Sequence, residues 1–254
     1  TGKQENVDVF ADNPDYEFVK GDIKDFETCL KACEGVDYVL NQAAWGSVPR
    51  SIEMPLFYCA TNIQGTLNMM EAARQNGVKC FIYASSSSVY GNQKKTPFST
   101  DDNVDHPISL YAATKKSNEL MAFTYSHLYN IPSTGLRFFT VYGPYGRPDM
   151  AYFSFTQKIL RGDKIKIFNN GDMYRDFTYV DDIVQGIMNM LLNPPAPDEN
   201  GDRAKVYNIG NNNPEKLMYF IETLEKAIGK TAEKEFLPMQ PGDVYQTYAD
   251  VSEL

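Results

Sequence analysis

Tyr111 and Lys115 stand four residues apart in Tyr111-Ala112-Ala113-Thr114-Lys115. On a helix that spacing puts a phenol and an ammonium on one face. A free tyrosine, with a pKa of about 10, is a poor base at neutral pH. A neighbouring cation favours the phenolate, and a phenol so lowered can take a proton from an alcohol. Taken alone, the spacing also fits a solvated helix face. Upstream, an apolar run ends in Ala84-Ser85-Ser86-Ser87-Ser88-Val89-Tyr90-Gly91, which offers several hydroxyls to a reacting oxygen beside the Tyr. A polar loop after a strand is the plainer reading of that stretch. The two halves together are more specific than either.

The elements needed to position these groups are legible. Tyr16–Lys20, Val36–Leu40, Phe81–Ser85, Thr134–Phe139 and Val206–Ile209 read as strands. Asp25–Cys33, Tyr58–Gln75, Leu110–Tyr129, Tyr179–Leu192 and Pro214–Ile228 read as helices, with Asp25 as an N-cap and Asn76-Gly77 and Asn130-Ile131-Pro132 as stops. Alternating strands and helices predict an α/β fold, a Rossmann-like doubly wound parallel sheet. Ligands in such sheets sit beyond the C-terminal strand ends. Chemistry is therefore expected at Asp22, Ala43–Ser47, Ser85–Tyr90 and Phe139–Arg147. After Gly143 the texture breaks into shorter pieces, which predicts a smaller interleaved substrate-binding lobe. The expected division is residues 1–142 and about 176–210 for the nucleotide-binding part, and 143–175 and 211–254 for the lobe.

Bulk properties exclude several classes. The 254 residues carry a net charge of −9, which argues against general nucleic-acid binding. No uninterrupted apolar stretch is long enough to span a membrane. Four cysteines in a chain of this size do not suggest a disulfide framework. Cys29 and Cys33 are one helical turn apart, but neither of the two histidines is near, so no metal site is expected.

Five motifs in order carry a resemblance: Asn41-Gln42-Ala43-Ala44, Ser85–Gly91, Tyr111–Lys115, Arg137–Pro144 and Arg175–Asp182. Their succession resembles the NAD-dependent nucleotide-sugar epimerases of the extended short-chain dehydrogenase family. Residues 85–182 and 207–243, including Leu237-Pro238-Met239-Gln240-Pro241-Gly242-Asp243-Val244, look most like UDP-glucuronate 4-epimerase. Gln42–Ile52 looks more like UDP-N-acetylglucosamine 4-epimerases.

The resemblance implies NAD as cofactor and a UDP-sugar as substrate. C4 is oxidised, the 4-keto sugar rotates, and it is re-reduced on its other face. Tyr111 is then base and acid. Lys115 holds the cofactor ribose and lowers the Tyr pKa. Ser86, Ser87 or Ser88 supplies the third hydroxyl. The cofactor is expected against Asp22, Ile23, Ala43, Ala44, Asn62 and Ser85. Ser47 and Arg50 are expected near the sugar, and Asn169, Arg175 and Asp243 at the uridine diphosphate. Thr140 and Arg147 are expected at a C5 carboxylate, which favours UDP-glucuronate over the alternative, UDP-N-acetylglucosamine or UDP-glucose. Dehydratases need an acid pair beside the Tyr, and decarboxylases usually show Glu at the strand end. Here Ser86–Val89 stand there, with no acid before Asp101. The resemblance also implies a cytoplasmic homodimer built on the helices at 56–76 and 109–129.

One departure stands against this reading. The family's Gly-x-x-Gly-x-x-Gly turn, which cradles the cofactor diphosphate at a helix N-terminus, does not occur in this sequence. A chain starting at Thr1 reads as an internal fragment or a renumbered one. A nucleotide-binding protein without turnover is the alternative of another class.

Overall fold

The computed structural model describes residues 2–240 and 242–254. Thr1 lies outside them, as does Pro241 within the 237–244 motif.

After α1 (Gln4–Asp8) and α2 (Phe26–Ala32), the chain enters β1 (Tyr38–Asn41). Three short helical pieces follow: α3 (Val48–Glu53), α4 (Pro55–Tyr58) and a π-helical segment at Cys59–Gln64 that leads into α5 (Gly65–Gln75). Next come β2 (Cys80–Ala84), the long α6 (Leu110–Tyr129), β3 (Ser133–Phe138) and β4 (Thr140–Tyr142). Then α7 (Ala151–Arg161), β5 (Ile165–Ile167), β6 (Tyr174–Tyr179) and α8 (Val180–Leu192) are followed by β7 (Ala204–Ile209), β8 (Pro214–Lys216), α9 (Leu217–Ile228) and β9 (Lys234–Phe236).

The main sheet has the order β1-β2-β3-β7 and is parallel throughout. The central strands β2 and β3 are buried on both faces, whereas the edge strand β1 alternates exposed and buried residues. In β2, Phe81 and Tyr83 join the core shared with Cys29, Cys33, Val39, Met70 and Ala122. Cys80 and Ile82, pointing the other way, pack with Leu136, Ile183, Met190 and Ile209. The helices on both faces make this a doubly wound Rossmann-like sheet. Cys29 and Cys33 are buried core residues whose thiols are pushed up by burial, Cys29 to about 11.

A further core joins α7, β5 and α9 through Phe155, Ile159, Ile165, Ile167, Leu217 and Ile221. Near it lie a three-stranded sheet, β4-β6-β8, and the pair β5-β9. Asp176, fully buried on β6, accepts backbone N–H bonds from Asn211, Asn212 and Ala249. It thereby ties β6 to the loop after β7 and to the C-terminal segment.

Three expectations differ from the structure. The helix expected from Pro214 begins at Leu217, because Pro214–Lys216 pair with β6 as β8. Tyr16–Lys20 forms no strand, and Phe18 and Val19 are exposed. Alternation marks a segment that fits a sheet, but a strand exists only with a partner ladder, and the described residues bring it none. The helix expected at 58–75 contains the π-helical segment, which sequence periodicity does not reveal. Insertions of this kind are frequent at functional sites. Here the segment buries Thr61 and Asn62.

Candidate active site

The C-terminal ends of β1, β2 and β3 open onto a cavity of about 600 Å³. Its walls include Ser85–Ser88, Tyr111, Lys115, Thr140 and Arg147. α6 delivers Tyr111 and Lys115 from its first two turns. Ser109 caps that helix through its hydroxyl, which accepts from the Ala112 N–H at 3.2 Å. The Tyr111 N–H donates to the Ser51 hydroxyl on α3 at 3.2 Å, which fixes the helix start against the loop after β1.

Lys115 is 3 % exposed, and its ammonium donates to the Ala84 carbonyl at 2.7 Å, 6.0 Å from the Tyr111 ring centre. Burial lowers its pKa to about 8. The Tyr111 phenol, expected to be lowered, lies above its ordinary value instead. Burial pushes it up, while the Ser86 hydroxyl and the Arg147 cation pull it back. The correction is physical: in this closed pocket desolvation of a phenolate outweighs the cations around it. Arg147 is a cation at the phenol that the four-residue spacing did not indicate. All three serines line the cavity with Tyr111, and the Ser86 hydroxyl is among the groups that pull the phenol's pKa down. It also caps the 3₁₀ turn at Ser87–Tyr90, accepting from the Ser88 N–H at 3.2 Å.

The strand end is braced from behind. The Ser85 hydroxyl donates to Glu119 at 2.7 Å, and Arg137 grips both oxygens of that carboxylate at 2.9 Å. Arg137 also reaches the Tyr90 hydroxyl at 2.9 Å, which donates to Asn208 at 2.6 Å. Ser85 thus spends its side chain on Glu119 rather than on the cavity.

A second cavity, about 800 Å³, continues from the first past Gln42, Ala44, Gly46 and Ser47. It is lined by Asp22, Ile23, Ala43, Trp45, Arg50 and Thr61. The Lys24 N–H holds the Asp22 carboxyl below its usual value. Gly65 lets Ile23 lie flat on α5, since a Cβ there would meet Ile23 Cδ1 at 2.6 Å. Arg50, expected at the sugar, lies in this second cavity with its guanidinium over the Trp45 ring at 5.3 Å. Ser47 lines both cavities. Asn62, expected at the cofactor, is fully buried behind the wall. Its amide clamps the Trp45 backbone at 2.8 and 3.0 Å and donates to Thr114 at 3.1 Å. It shapes the Gln42–Ser47 loop without facing the cavity.

A third, mostly apolar cavity of about 230 Å³ joins Thr140, Phe168, Phe177, Arg175 and Asp243. Arg175 donates to Asp243 at 2.9 Å, and burial lowers the pKa of the guanidinium. Asn169 is not among its lining residues; its amide donates to the Asp172 carbonyl at 2.6 Å.

Sequence reading missed Tyr58, Glu119 and Asp149, and gave Gly46 only as part of the Ala43–Ser47 stretch. Arg147 donates to both Asp149 oxygens, Nε at 2.8 Å and Nη2 at 3.0 Å. Burial pushes the Asp149 carboxyl up, but the Arg147 pair outweighs it and holds the group low. A Cβ on Gly46 would meet Arg147 Nη1 at 1.8 Å, so only glycine lets the guanidinium cross this loop. The Tyr58 hydroxyl donates to the Gly46 and Ser47 carbonyls and holds the loop in place. A glycine after a strand and an Asp two residues past an Arg are the only sequence signals these residues gave.

The arrangement offers a phenol, a buried ammonium and strand-end hydroxyls at one end of an elongated double groove. Among the described residues the buried Lys115 ammonium is bonded to the Ala84 carbonyl and to no carboxylate, and the Thr61 hydroxyl lining the groove has no protein partner. A dinucleotide fits that description, with its reactive end at Tyr111 and Lys115.

Comparison with known proteins gives the same picture. Residues 2–210 match the family model described as "NAD dependent epimerase/dehydratase family". The Staphylococcus aureus protein CapI is 54 % identical over 232 residues, 87 % of this chain and 70 % of its own. A probable UDP-glucuronate 4-epimerase of Rhizobium meliloti is 46 % identical over 225 residues, 84 % of this chain and 66 % of its own. The crystal structure of UDP-glucuronic acid 4-epimerase from Bacillus cereus, in complex with UDP-glucuronic acid and NAD, superposes with a TM-score of 0.87 at 34 % identity. That superposition covers 98 % of this chain and 77 % of the other. No helix among the described residues is long and apolar enough to cross a membrane. Sequence motifs, parallel sheet and groove agree with these likenesses, and the chain belongs to the NAD dependent epimerase/dehydratase family, among its extended short-chain dehydrogenase epimerases with NAD as cofactor.

Proposed function

We propose that this NAD-dependent UDP-sugar 4-epimerase acts on UDP-glucuronate, converting it to UDP-galacturonate. The observation that carries the substrate is Arg147: its cation lines the same cavity as Tyr111, Ser86 and Thr140 and acts on the Tyr111 phenol. An arginine fork recognises a carboxylate through paired, charge-assisted bonds.

Bound NAD supplies reversible two-electron oxidation of the sugar carbon. Tyr111 takes the C4 hydroxyl proton and later returns it, with Ser86 donating a hydrogen bond at the same oxygen. Lys115 and Tyr111 hold the cofactor at this end of the groove, while Asp22, Ile23, Ala43 and Ala44 line its far end. Arg175 and Asp243 take the uridine diphosphate, Arg175 through its phosphates. A 4-keto glucuronate is a β-keto acid and loses carbon dioxide when its carboxylate can align with the carbonyl. Arg147 and Thr140 hold the carboxylate in one plane and suppress that loss.

Elimination of water is disfavoured on this geometry. Among the described residues lining the catalytic cavity there is no carboxylate to act as the acid of a dehydratase. Within the sequence, the reading of UDP-N-acetylglucosamine as substrate rests on the Gln42–Ile52 stretch.

The test incubates the protein and NAD with UDP-glucuronate and with UDP-N-acetylglucosamine separately. Conversion of the first is expected, and Arg147→Ala should slow it while raising the decarboxylated by-product. Conversion of the second alone overturns the assignment.

The same reading makes the protein a homodimer. Leu120, Phe123 and Leu128 on α6 and Leu56 beside them are exposed apolar residues on adjacent helices. Sedimentation at micromolar concentration should give twice the chain mass; a monomer would remove this assignment.

A further inference from the structure

Arg147 reaches the sugar end already holding a carboxylate, that of Asp149. The two bonds, 2.8 and 3.0 Å, use Nε and Nη2 in the side-on fork that a sugar carboxylate would also use. Nη1 lies close to Gly46, in space that a Cβ at that position would fill. Arg147 lines both the catalytic and the outer cavity, whereas Asp149 lines only the outer one. Asp149 thus engages the fork from the outer cavity, and the fork must leave it to take a carboxylate bound on the Tyr111 side.

We infer that Asp149 is a specificity-determining residue: it occupies Arg147 until a sugar carboxylate displaces it, so the cation is offered to acid sugars and withheld from neutral ones. This rests on the assignment of an acid sugar to the cavity.

Energetics make the exchange feasible. The side chains of Arg147 and Asp149 are 35 % and 49 % exposed. A pair this open contributes at most about 1 kcal/mol, because water and salt already screen it. The Arg137–Glu119 pair, with side chains only 4 % and 5 % exposed, has no comparable access to a competing anion. A neutral sugar brings no anion to compete, so Arg147 stays on Asp149 and contributes nothing to its binding. Asp149 also spares the empty site an uncompensated cation, which any small anion would occupy.

The test measures KM, and dissociation constants by calorimetry, for UDP-glucuronate and UDP-glucose with the NAD-loaded protein at fixed ionic strength. Asp149→Asn removes the competing charge and keeps the shape. Its KM and Kd for UDP-glucuronate should fall by roughly two- to fivefold, the factor equivalent to an exposed ion pair, with UDP-glucose binding unmoved. Asp149→Glu should restore the wild-type values. A rise for UDP-glucuronate would make Asp149 a support that orients Arg147, and no change would remove it from recognition; either overturns the inference. Equal tightening of both sugars also overturns it. If the wild-type protein neither binds nor converts UDP-glucuronate, the substrate assignment itself fails, an outcome distinct from these.

Discussion

The two ends of the catalytic cavity are built differently. At the strand end, Ser85, Glu119, Arg137, Tyr90 and Asn208 form a buried chain of bonds of 2.6 to 2.9 Å. Lys115 is pinned to the Ala84 carbonyl beside it. At the sugar end, one half-exposed pair, Arg147 with Asp149, is held by a glycine contact and a two-residue chain link. Proton transfer tolerates little misplacement, so its groups need a backing that does not rearrange. Recognition of one sugar among several needs a cation that can change partners. A rigid end for chemistry and a soft end for choice is what the burial difference describes.

The largest effect that can break this contrast lies behind the serines. Glu119→Ala leaves Arg137 as an uncompensated buried cation, which costs about 3–5 kcal/mol. Denaturant unfolding should show that loss directly, and turnover should fall as Ser85 loses its anchor. The double variant Glu119→Leu, Arg137→Met should regain most of the stability without regaining turnover, since apolar replacement of a buried pair is often neutral. A loss below about 1 kcal/mol in the single variant would place this pair with the exposed ones, and the contrast would disappear.

Much of the rigid end was legible in the sequence, because local patterns encode it. The four-residue step of Tyr111 and Lys115 and the Asn130 stop belong to one helix, and its limits match the expected 110–129. The parallel sheet was legible for the same reason: runs such as Cys80–Ala84 are apolar on both faces. Contacts between segments distant in sequence were not. Glu119 reads as an ordinary helix charge until Arg137 arrives from β3. Asn62 reads as a cofactor neighbour until the π-helical segment turns it onto Trp45. Tyr16–Lys20 has the alternation of a strand but no partner among the described residues. The pKa of Tyr111 went astray because spacing shows a nearby cation but not the depth of burial that opposes it.

Lys115 offers the finer test, because it lies within the rigid end yet carries a charge that burial disfavours. Its folded pKa is about 8, below the ordinary 10.5. Between those values the unfolded chain binds the proton and the folded chain does not, so folding stability rises with pH across that window. Below pH 8 the ammonium is charged in both states and its desolvation cost is fully present. Lys115→Met removes the cost at every pH while keeping much of the volume. Wild-type stability should therefore gain about 2 kcal/mol relative to Lys115→Met between pH 7 and 9.5, measured by denaturant unfolding without cofactor. Turnover of the variant should be lost throughout, since no cation remains at the ribose end. A pH-independent difference between the two proteins would mean that Lys115 is hydrated in the folded state. The rigid end would then be as open to water as the Arg147 loop.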